Sequence, residues 1–280
     1  MRYRIHWETT YTYDAPVRSL HTELRVLPAD RAGQRLVDGT IHLDPPARPF
    51  ALTDAWENRY HHVDFAAPVE RLTIEMTAEV DTVDTPAPEP PLAPLLLRLL
   101  TQPTPRSPED PRISALADGI DGSPLEIARG ISARIAERCV FEVGQTDVST
   151  TALDFLDHGR GVCQDFTHLL VAALRSRGLP ARYVSGYLGP AEGEEVGEAS
   201  HAWAQVLDGD TWYGFDAANG CDQDGRYIVT GIGRDYDDVP PMSGGFHGSA
   251  DHEWTTTVRV RMDDSPRQPE QHHQQEQQQQ

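Results

Sequence analysis

The sequence predicts an α+β fold, with a β-rich N-terminal domain and a C-terminal core in which helices precede an antiparallel sheet. Residues 1–84 have the composition of a β-rich region, and residues 3–8 alternate apolar and polar side chains with the period of two that half-buried strands show. Nine prolines follow between residues 85 and 112, a density that excludes a long helix or a central strand. Helical spacing then begins at residue 123. We therefore predict an N-terminal domain at 1–84, a proline-rich connector at 85–122 and a core at 123–262.

The strands of the N-terminal domain are predicted from alternation and from turn residues between them. Residues 3–8 alternate large apolar side chains with polar ones, and residues 24–27, 36–43 and 72–80 have similar strand-forming composition. The pair Asp38-Gly39 supplies turn chemistry. No helical stripe of useful length interrupts this pattern, so a compact β-sandwich or an open barrel is expected.

Helices are predicted from capping residues and apolar spacing. Inside the connector, Leu92 and residues 95–100 predict one short packed helix. The run Ser123-Pro124-Leu125-Glu126 places a cap, a first-turn proline and a third-position Glu in order, which predicts a helix that continues to about residue 138. A second helix is predicted at 151–156 and a third at 163–177, where the apolar residues share one face.

After the third helix the pattern changes to strands that would form the sheet of the core. The pair Asp208-Gly209 predicts a tight hairpin. An acidic loop at 189–198 precedes that hairpin, and eight glutamines in residues 263–280 predict a disordered tail. The predicted strands are residues 181–188, 201–207, 211–216, 227–230 and 255–262.

The charged residues exclude several classes of protein. All 24 basic residues are arginine. The lysine that Schiff-base enzymes, P-loop nucleotide sites and protein kinases require is therefore absent. With 44 acidic residues the formal charge is -20, which disfavours binding to nucleic acid or to anionic lipid. Such acidity is typical of a highly soluble protein, and adaptation to high salt is a second interpretation.

The cysteines and the apolar runs predict the compartment. Three cysteines, Cys139, Cys163 and Cys221, are too few and odd in number for a disulfide framework, which favours a reducing environment. The first residues lack the apolar block of a signal peptide, and the longest apolar stretch, 95–100, is too short to span a bilayer. We predict a cytoplasmic protein without membrane contact. The sequence does not indicate an oligomeric state.

A cysteine at the predicted start of the third helix is the strongest chemical signal. Gly159 and Gly161 precede Cys163 and leave space for a substrate to approach the sulfur. At a helix N-terminus the free backbone N–H groups and the helix dipole favour the thiolate, which is the nucleophilic form. A buried, inert cysteine is the alternative interpretation, and the position of Cys163 disfavours it.

A thiolate nucleophile needs a base, and the base needs an orienting partner. His201 lies 38 residues after Cys163, at the start of a predicted strand. Asp216 lies at the end of the strand joined to it by the Asp208-Gly209 turn, so neighbouring antiparallel strands can bring the two side chains together. The sequence therefore offers Cys, His and Asp in the order that nucleophilic catalysis can use.

Several stretches carry a resemblance to a known family. GVCQDFTHLLVAALRSRGLPARYVSGYL, SHAWAQV and WYGFDAANG together resemble the transglutaminase-like superfamily of papain-type cysteine enzymes. The later GRDYDDVPP is similar to the ending of its bacterial branch. YTYDAPV, LRVLPA and DAWEN resemble the N-terminal β-rich domain of that branch, so the resemblance extends to about residue 262. Glu57, in DAWEN, stands where this branch usually has glycine, which leaves the local turn open.

The resemblance implies a papain-like, transglutaminase-like core in which Cys163 is the nucleophile, His201 the general base and acid, and Asp216 the orienting carboxylate. Family members attack a carboxamide or peptide carbonyl and form an acyl-thioester that water or an amine resolves. We predict hydrolysis, by a peptidase or amidase, of a peptide or protein substrate. The alternatives are a protein-glutamine gamma-glutamyltransferase with a small amine acceptor, and a binding module without turnover. The backbone N–H of Cys163 is one expected oxyanion donor.

Neither a cofactor nor a metal is predicted. A zinc site is the competing interpretation of four residues, but their spacing matches no close metal pattern such as paired CxxC. These residues are Cys163, His168, His201 and Cys221.

Other notable side chains are interpreted as structural. His168 is expected to bond to neighbouring backbone or loop, and Asp165 to meet the dipole of the third helix in its first turn. Cys139 is expected to be buried and inert. Trp203 and Trp212 are expected to pack beside the site.

Overall fold

The computed structural model describes residues 1–190 and 200–263. Almost all of the predicted acidic loop and of the glutamine-rich tail lies outside these residues. The strands are β1 (Arg2–Leu24), β2 (Gln34–Asp44), β3 (Phe50–Thr53), β4 (Arg59–Asp64), β5 (Val69–Thr82), β6 (Val140–Phe141), β7 (Arg160–Gly161), β8 (Ala181–Leu188), β9 (Ser200–Asp208), β10 (Thr211–Asp216), β11 (Cys221–Asp222), β12 (Tyr227–Gly233), β13 (Met242–His247) and β14 (His252–Met262). The α-helices are α1 (Pro94–Leu99), α2 (Pro111–Ser114), α3 (Pro124–Arg138), α4 (Ala152–His158) and α5 (Cys163–Ser176), with short 3-10 helices at Ala115–Ala117 and Tyr236–Asp238.

The N-terminal strands form one seven-stranded sheet organised around β1. The first half of β1 pairs with β5 and β14, and its second half pairs with β4 and β13. Its pairing with β5 shifts register between Thr12 and Val17. The two halves share one apolar core that includes Trp7, Leu24 and Ile74. The structure therefore has a single seven-stranded sheet in place of the predicted sandwich or barrel. The two halves of this sheet share strand β1.

The last strand lies in a different sheet from the one predicted. The sequence assigned residues 255–262 to the C-terminal core, but β14 pairs with β1 in antiparallel register from Tyr3–Met262 to Tyr13–His252. Val258 and Val260 are buried in the N-terminal core. Alternation predicted a strand here, but it carries no information about the pairing partner.

A turn between β3 and β4 contains a strained residue. One carboxylate oxygen of Asp54 accepts hydrogen bonds from the backbone N–H groups of Trp56 and Asn58, at 2.9 Å each. Glu57, between them, has φ +63°. A side chain is disfavoured in this left-handed region, which glycine adopts freely.

Replacement of Glu57 by glycine is expected to increase the free energy of unfolding by about 0.5–1 kcal/mol, because relief of the strain outweighs the extra entropy of the unfolded chain. Urea denaturation of the two proteins measures the difference. Glu57→Ala is the matched control, because it removes the carboxylate and keeps the Cβ. A gain of equal size in both variants would contradict backbone strain as the cause.

The C-terminal sheet is antiparallel, with strand order β11-β10-β9-β8-β12. The predicted helix starts are confirmed: Ser123 and Glu126 form a reciprocal capping box at α3, and Thr151 and Asp154 do the same at α4. Helix α5 packs against β8 and β9, and α3 and α4 pack on α5. This sheet therefore supports α5 on one face.

The predicted connector is partly incorporated into the core. Its short helix is confirmed as α1. Ile113 and Leu116, at the end of the connector, are buried in the same apolar cluster as α3 and α5. Glu89 forms a bidentate ion pair with the buried guanidinium of Arg182 in β8, at 2.8 and 2.7 Å. The proline-rich segment is therefore fastened to the sheet.

Candidate active site

Cys163 is the first residue of α5, where its thiol is partly exposed. Val162 precedes the helix, and its backbone N–H donates to the carboxylate of Asp165 at 2.8 Å. A side chain at Gly161 would clash with that carboxylate and with Phe155, so this position requires glycine. The N–H groups of the first turn have no carbonyl four residues earlier in the helix to bond to. The sulfur therefore lies at the positive end of a fourteen-residue helix.

His201 and Asp216 meet across the β9–β10 hairpin. The Nε2 of His201 lies 2.6 Å from Oδ2 of Asp216. The Asp216 side chain is 1% exposed and that of His201 is 10% exposed. A buried carboxylate can only accept hydrogen bonds, so Nε2 of His201 is the donor and the imidazole tautomer is defined.

The carboxylate of Asp216 is the acceptor for five donors among the described residues. Oδ1 accepts from the backbone N–H groups of Ala218 at 3.0 Å and Asn219 at 3.1 Å. Oδ2 accepts from His201, from Nδ2 of Asn219 at 2.7 Å and from the hydroxyl of Tyr227 at 2.8 Å. Burial alone raises the pKa of Asp216, but the hydrogen bond and charge of His201 and the bonds from Asn219 outweigh it and lower the pKa. Asp216 is therefore held as an anion.

His201 also interacts with the thiol of Cys163. Burial lowers the pKa of His201, but the hydrogen bonds to Asp216 and to Cys163 outweigh burial and raise the pKa to about 10. Because Nε2 faces Asp216, Nδ1 is the nitrogen available to the sulfur. The three residues predicted from sequence are thus brought together in the order Cys163–His201–Asp216.

Aromatic side chains hold the imidazole in place. The ring of His201 is stacked with Trp203, at a centroid distance of 6.2 Å, and Tyr227 packs edge-on against Trp203 at 5.1 Å. The indole N–H of Trp203 donates to Oε1 of Gln223 at 2.8 Å. Sequence reasoning missed Tyr227, Asn219 and Gln223. Only the adjacency of Asn219 to the WYGFDAANG motif could have indicated one of them.

The residues interpreted as structural have buried positions around the site. Nε2 of His168 accepts the backbone N–H of Tyr236 at 3.2 Å, and burial lowers the pKa of His168 to about 3, so this histidine is neutral. Asp165 accepts from Val162 and Thr146. Cys139 is 7% exposed, and Trp212 lies against the guanidinium of Arg182 at 4.2 Å.

Two further features concern binding sites elsewhere. A surface groove of about 450 Å³ lies on the solvent face of the N-terminal sheet, with Arg4, Arg259 and Arg261 among its lining residues. It contains none of the three residues above and offers no nucleophile. In the described part of the chain, no three His, Cys, Asp or Glu side chains gather in a way that could hold a metal ion.

No helix among residues 1–190 and 200–263 is long and apolar enough to cross a membrane.

Comparison with known proteins identifies the family. Residues 3–81 match the bacterial transglutaminase-like N-terminal region, and residues 114–217 match the transglutaminase-like superfamily. The chain is 30% identical to an uncharacterized protein of Mycobacterium leprae over 281 aligned residues, which cover 92% of this chain and 98% of that protein. The chain belongs to the transglutaminase-like superfamily. The resemblance inferred from the sequence is confirmed.

Further relatives of this transglutaminase-like protein agree. An uncharacterized protein of Mycobacterium tuberculosis is 34% identical over 273 residues, covering 87% of each chain. A solved structure from Cytophaga hutchinsonii, named as a candidate cysteine protease, superposes with a TM-score of 0.74 at 24% identity, covering 96% of this chain and 93% of that one. That likeness confirms the predicted fold class, an N-terminal β-rich region followed by a transglutaminase-like core.

Proposed function

We propose that this transglutaminase-like protein is a cysteine enzyme that cleaves amide or peptide bonds, with Cys163 as nucleophile, His201 as general base and acid, and Asp216 as the orienting carboxylate. The observation that carries the proposal is the 2.6 Å bond between Nε2 of His201 and Asp216, which leaves Nδ1 for the thiol of Cys163. Covalent acyl transfer requires a nucleophile that is hydrogen-bonded to a base, which is in turn hydrogen-bonded to an orienting group.

The proposed reaction proceeds in two steps. The thiolate of Cys163 attacks the carbonyl carbon, and the negative charge that develops on the oxygen is stabilised by the N-terminus of α5, including the N–H of Cys163. His201 gives its proton to the departing amine, and a thioester with Cys163 remains. Water then attacks the thioester while His201 takes a proton from it, and the C–S bond breaks. This step releases the carboxylic acid and restores the Cys163 thiolate and the protonated His201.

Hydrolysis is proposed over amine transfer because none of the described residues around Cys163 specifies an acceptor site for an amine. The chain contains no lysine, so it cannot cross-link to copies of itself through glutamine–lysine bonds. A peptide or protein is the proposed substrate, and an amine acceptor, if one is used, comes from another molecule. Incubation with a peptide-amide library, with and without a primary amine, separates these functions. Carboxylate products in both cases support hydrolysis, amine adducts identify a transferase, and no product supports a binding module.

The division into domains and the location of the protein are part of this proposal. The N-terminal domain is proposed at 1–84 with β14 added to its sheet, and the catalytic core begins in the connector, before residue 123. A cytoplasmic location is proposed because Cys139, Cys163 and Cys221 are all free thiols.

Alkylation by iodoacetamide at pH 7 is expected to modify Cys163 at least about tenfold faster than Cys139 in the folded protein. The thiol of Cys163 is hydrogen-bonded to His201, the proposed base, whereas burial raises the pKa of Cys139 to about 11 and keeps that sulfur protonated. Mass spectrometry of tryptic peptides measures both rates. In the His201→Ala variant the rate at Cys163 is expected to fall toward that of an ordinary thiol. Equal labelling of the two cysteines in the wild type would contradict an activated Cys163.

A further inference from the structure

A short apolar surface lies beside Cys163 and takes no part in the chemistry described above. Residues 140–148 carry four exposed apolar side chains, Val140 (54%), Phe141 (52%), Val143 (76%) and Val148 (58%). We call these four side chains the apolar rim. Exposed apolar clusters on an otherwise acidic and polar chain are typical of binding surfaces, whereas single exposed residues are ordinary.

The apolar rim is attached directly to the first turn of α5. Strand β6 pairs in parallel with β7, so that Phe141 lies opposite Gly161, two residues before Cys163. The hydroxyl of Thr146 donates to Asp165 at 2.7 Å, and the side-chain amide of Gln164 donates to the carbonyl of Val148 at 3.4 Å. Both ends of the segment are therefore fixed relative to the nucleophile, although its apolar side chains face solvent.

The backbone of the same segment has an open strand edge. The backbone N–H of Val140 donates to the carbonyl of Gly159, just before β7, at 2.9 Å. The backbone N–H of Glu142 donates to the carbonyl of Gly161 in β7 at 2.8 Å. Alternation along a strand then turns the N–H and C=O of Phe141 toward the opposite edge. Within the described residues β6 and β7 form a two-stranded sheet, so no third strand pairs with that edge. An extended peptide can add to such an edge through main-chain hydrogen bonds.

We propose that the apolar rim and the open edge of β6 bind the acyl-donor substrate, an extended peptide with apolar side chains next to the carbonyl that Cys163 attacks. This inference rests on the proposed function and specifies its substrate class. Main-chain bonds to Phe141 align the peptide, and contact with Phe141 and Val143 selects apolar side chains. The charged pair Glu142–Arg160 borders the rim, and substrates with acidic side chains at the same positions are disfavoured by the acidic surface.

The test compares three alkylating reagents on the full-length protein. Two are chloromethyl ketones of equal length, with leucine or with serine in the residues before the reactive carbonyl, and the third is iodoacetamide, which carries no peptide. The rate of modification of Cys163 is measured by mass spectrometry. We expect the leucine reagent to react at least about tenfold faster than the serine reagent, because burial of one aliphatic side chain contributes a factor of this order.

The variants Phe141→Ser and Val143→Ser are expected to reduce this preference to about threefold or less, with the iodoacetamide rate unchanged. Val83→Ser is the matched control, because Val83 is 55% exposed and follows β5, outside the segment. A further leucine reagent is methylated on the amide nitrogen that would pair with Phe141. Its rate of reaction with Cys163 is expected to exceed that of the serine reagent by much less than the rate of the unmethylated leucine reagent does.

The outcomes separate the inference from the function on which it rests. If Cys163 reacts no faster with iodoacetamide than Cys139 does, the proposed function is wrong. If Cys163 is reactive but the leucine and serine reagents react equally, the function stands and the apolar rim is not a substrate surface. Retained preference in both serine variants would also overturn the inference.

Discussion

Replacement of Cys163 by alanine is expected to reduce turnover of any peptide-amide substrate by about 10⁴- to 10⁶-fold. In the proposed mechanism the sulfur of Cys163 forms the acyl-enzyme, and no other described thiol interacts with His201. Cys163→Ser tests the same point with a side chain of similar size, since a hydroxyl is a far weaker nucleophile than a thiolate. Initial rates on the substrate found in the library screen measure the loss.

Stability and a second cysteine provide the controls for this experiment. Cys163 is only partly buried, so thermal unfolding of both variants should resemble that of the wild type. Cys139→Ala removes a buried thiol at the C-terminus of α3 that has no part in the proposed mechanism, and should leave the rate unchanged. Retained activity in folded Cys163→Ala would assign the nucleophile elsewhere.

Replacement of Asp216 by asparagine is expected to reduce kcat/KM by about 10²- to 10⁴-fold, the range seen when the orienting carboxylate of a triad is removed. The five donors around this side chain explain the severity. An amide has one acceptor oxygen, so its NH₂ group must face either the backbone N–H groups of Ala218 and Asn219 or the donors from His201 and Tyr227. Either arrangement places donor against donor in a buried site, and the tautomer of His201 is no longer defined.

The contribution of this ion pair to stability should depend on pH. The pKa of Asp216 is lowered in the folded protein, so its contribution is present above the unfolded value of roughly 3.9 and is lost as the pH falls through the folded pKa. His201 has a raised pKa, so its contribution is complete below roughly 6.5 and is lost as the pH rises to about 10.

Urea denaturation at several pH values measures that dependence. The difference in free energy of unfolding between wild type and Asp216→Asn should therefore be largest between about pH 4 and 6.5. Asp222→Asn, which removes an exposed carboxylate paired with Arg129, is the matched control. A difference that does not change with pH, or an unchanged reaction rate, would contradict the role of Asp216.

Local sequence chemistry was sufficient for several elements that depend on near neighbours, although the turn predicted at Asp38-Gly39 is wrong because both residues lie inside β2. The cap at Ser123 begins α3 as predicted, α4 begins after Thr151 within the predicted range, and Gly178 follows α5 with φ +71°. The hairpin between β9 and β10 turns at Gly209 with φ +65°, so its length determines that His201 and Asp216 lie on adjacent strands. Their proximity was predictable because only a short turn separates the strands.

Features that depend on distant parts of the chain were not predictable in the same way. Strand β14 was recognised as a strand, yet its pairing with β1 joins residues about 250 positions apart, such as Tyr3 and Met262. The hydroxyl of Tyr227 reaches Asp216 from β12, which lies beyond β9 and β8 in the sheet. Nothing in the local pattern around Tyr227 distinguishes it from an ordinary buried aromatic residue.

The sequence alone determined the absence of lysine, the acidity and the candidate residues Cys163, His201 and Asp216. These features depend only on residue type and on spacing along the chain. Only the tertiary structure decided three other features of the site. These are the bond between Nε2 of His201 and Asp216, the five donors around that carboxylate and the raised pKa of His201. The exposure of the apolar rim beside Cys163 also depended on tertiary structure. The physical reason is that burial and hydrogen bonding are set by side chains from several elements, which a linear pattern does not bring together.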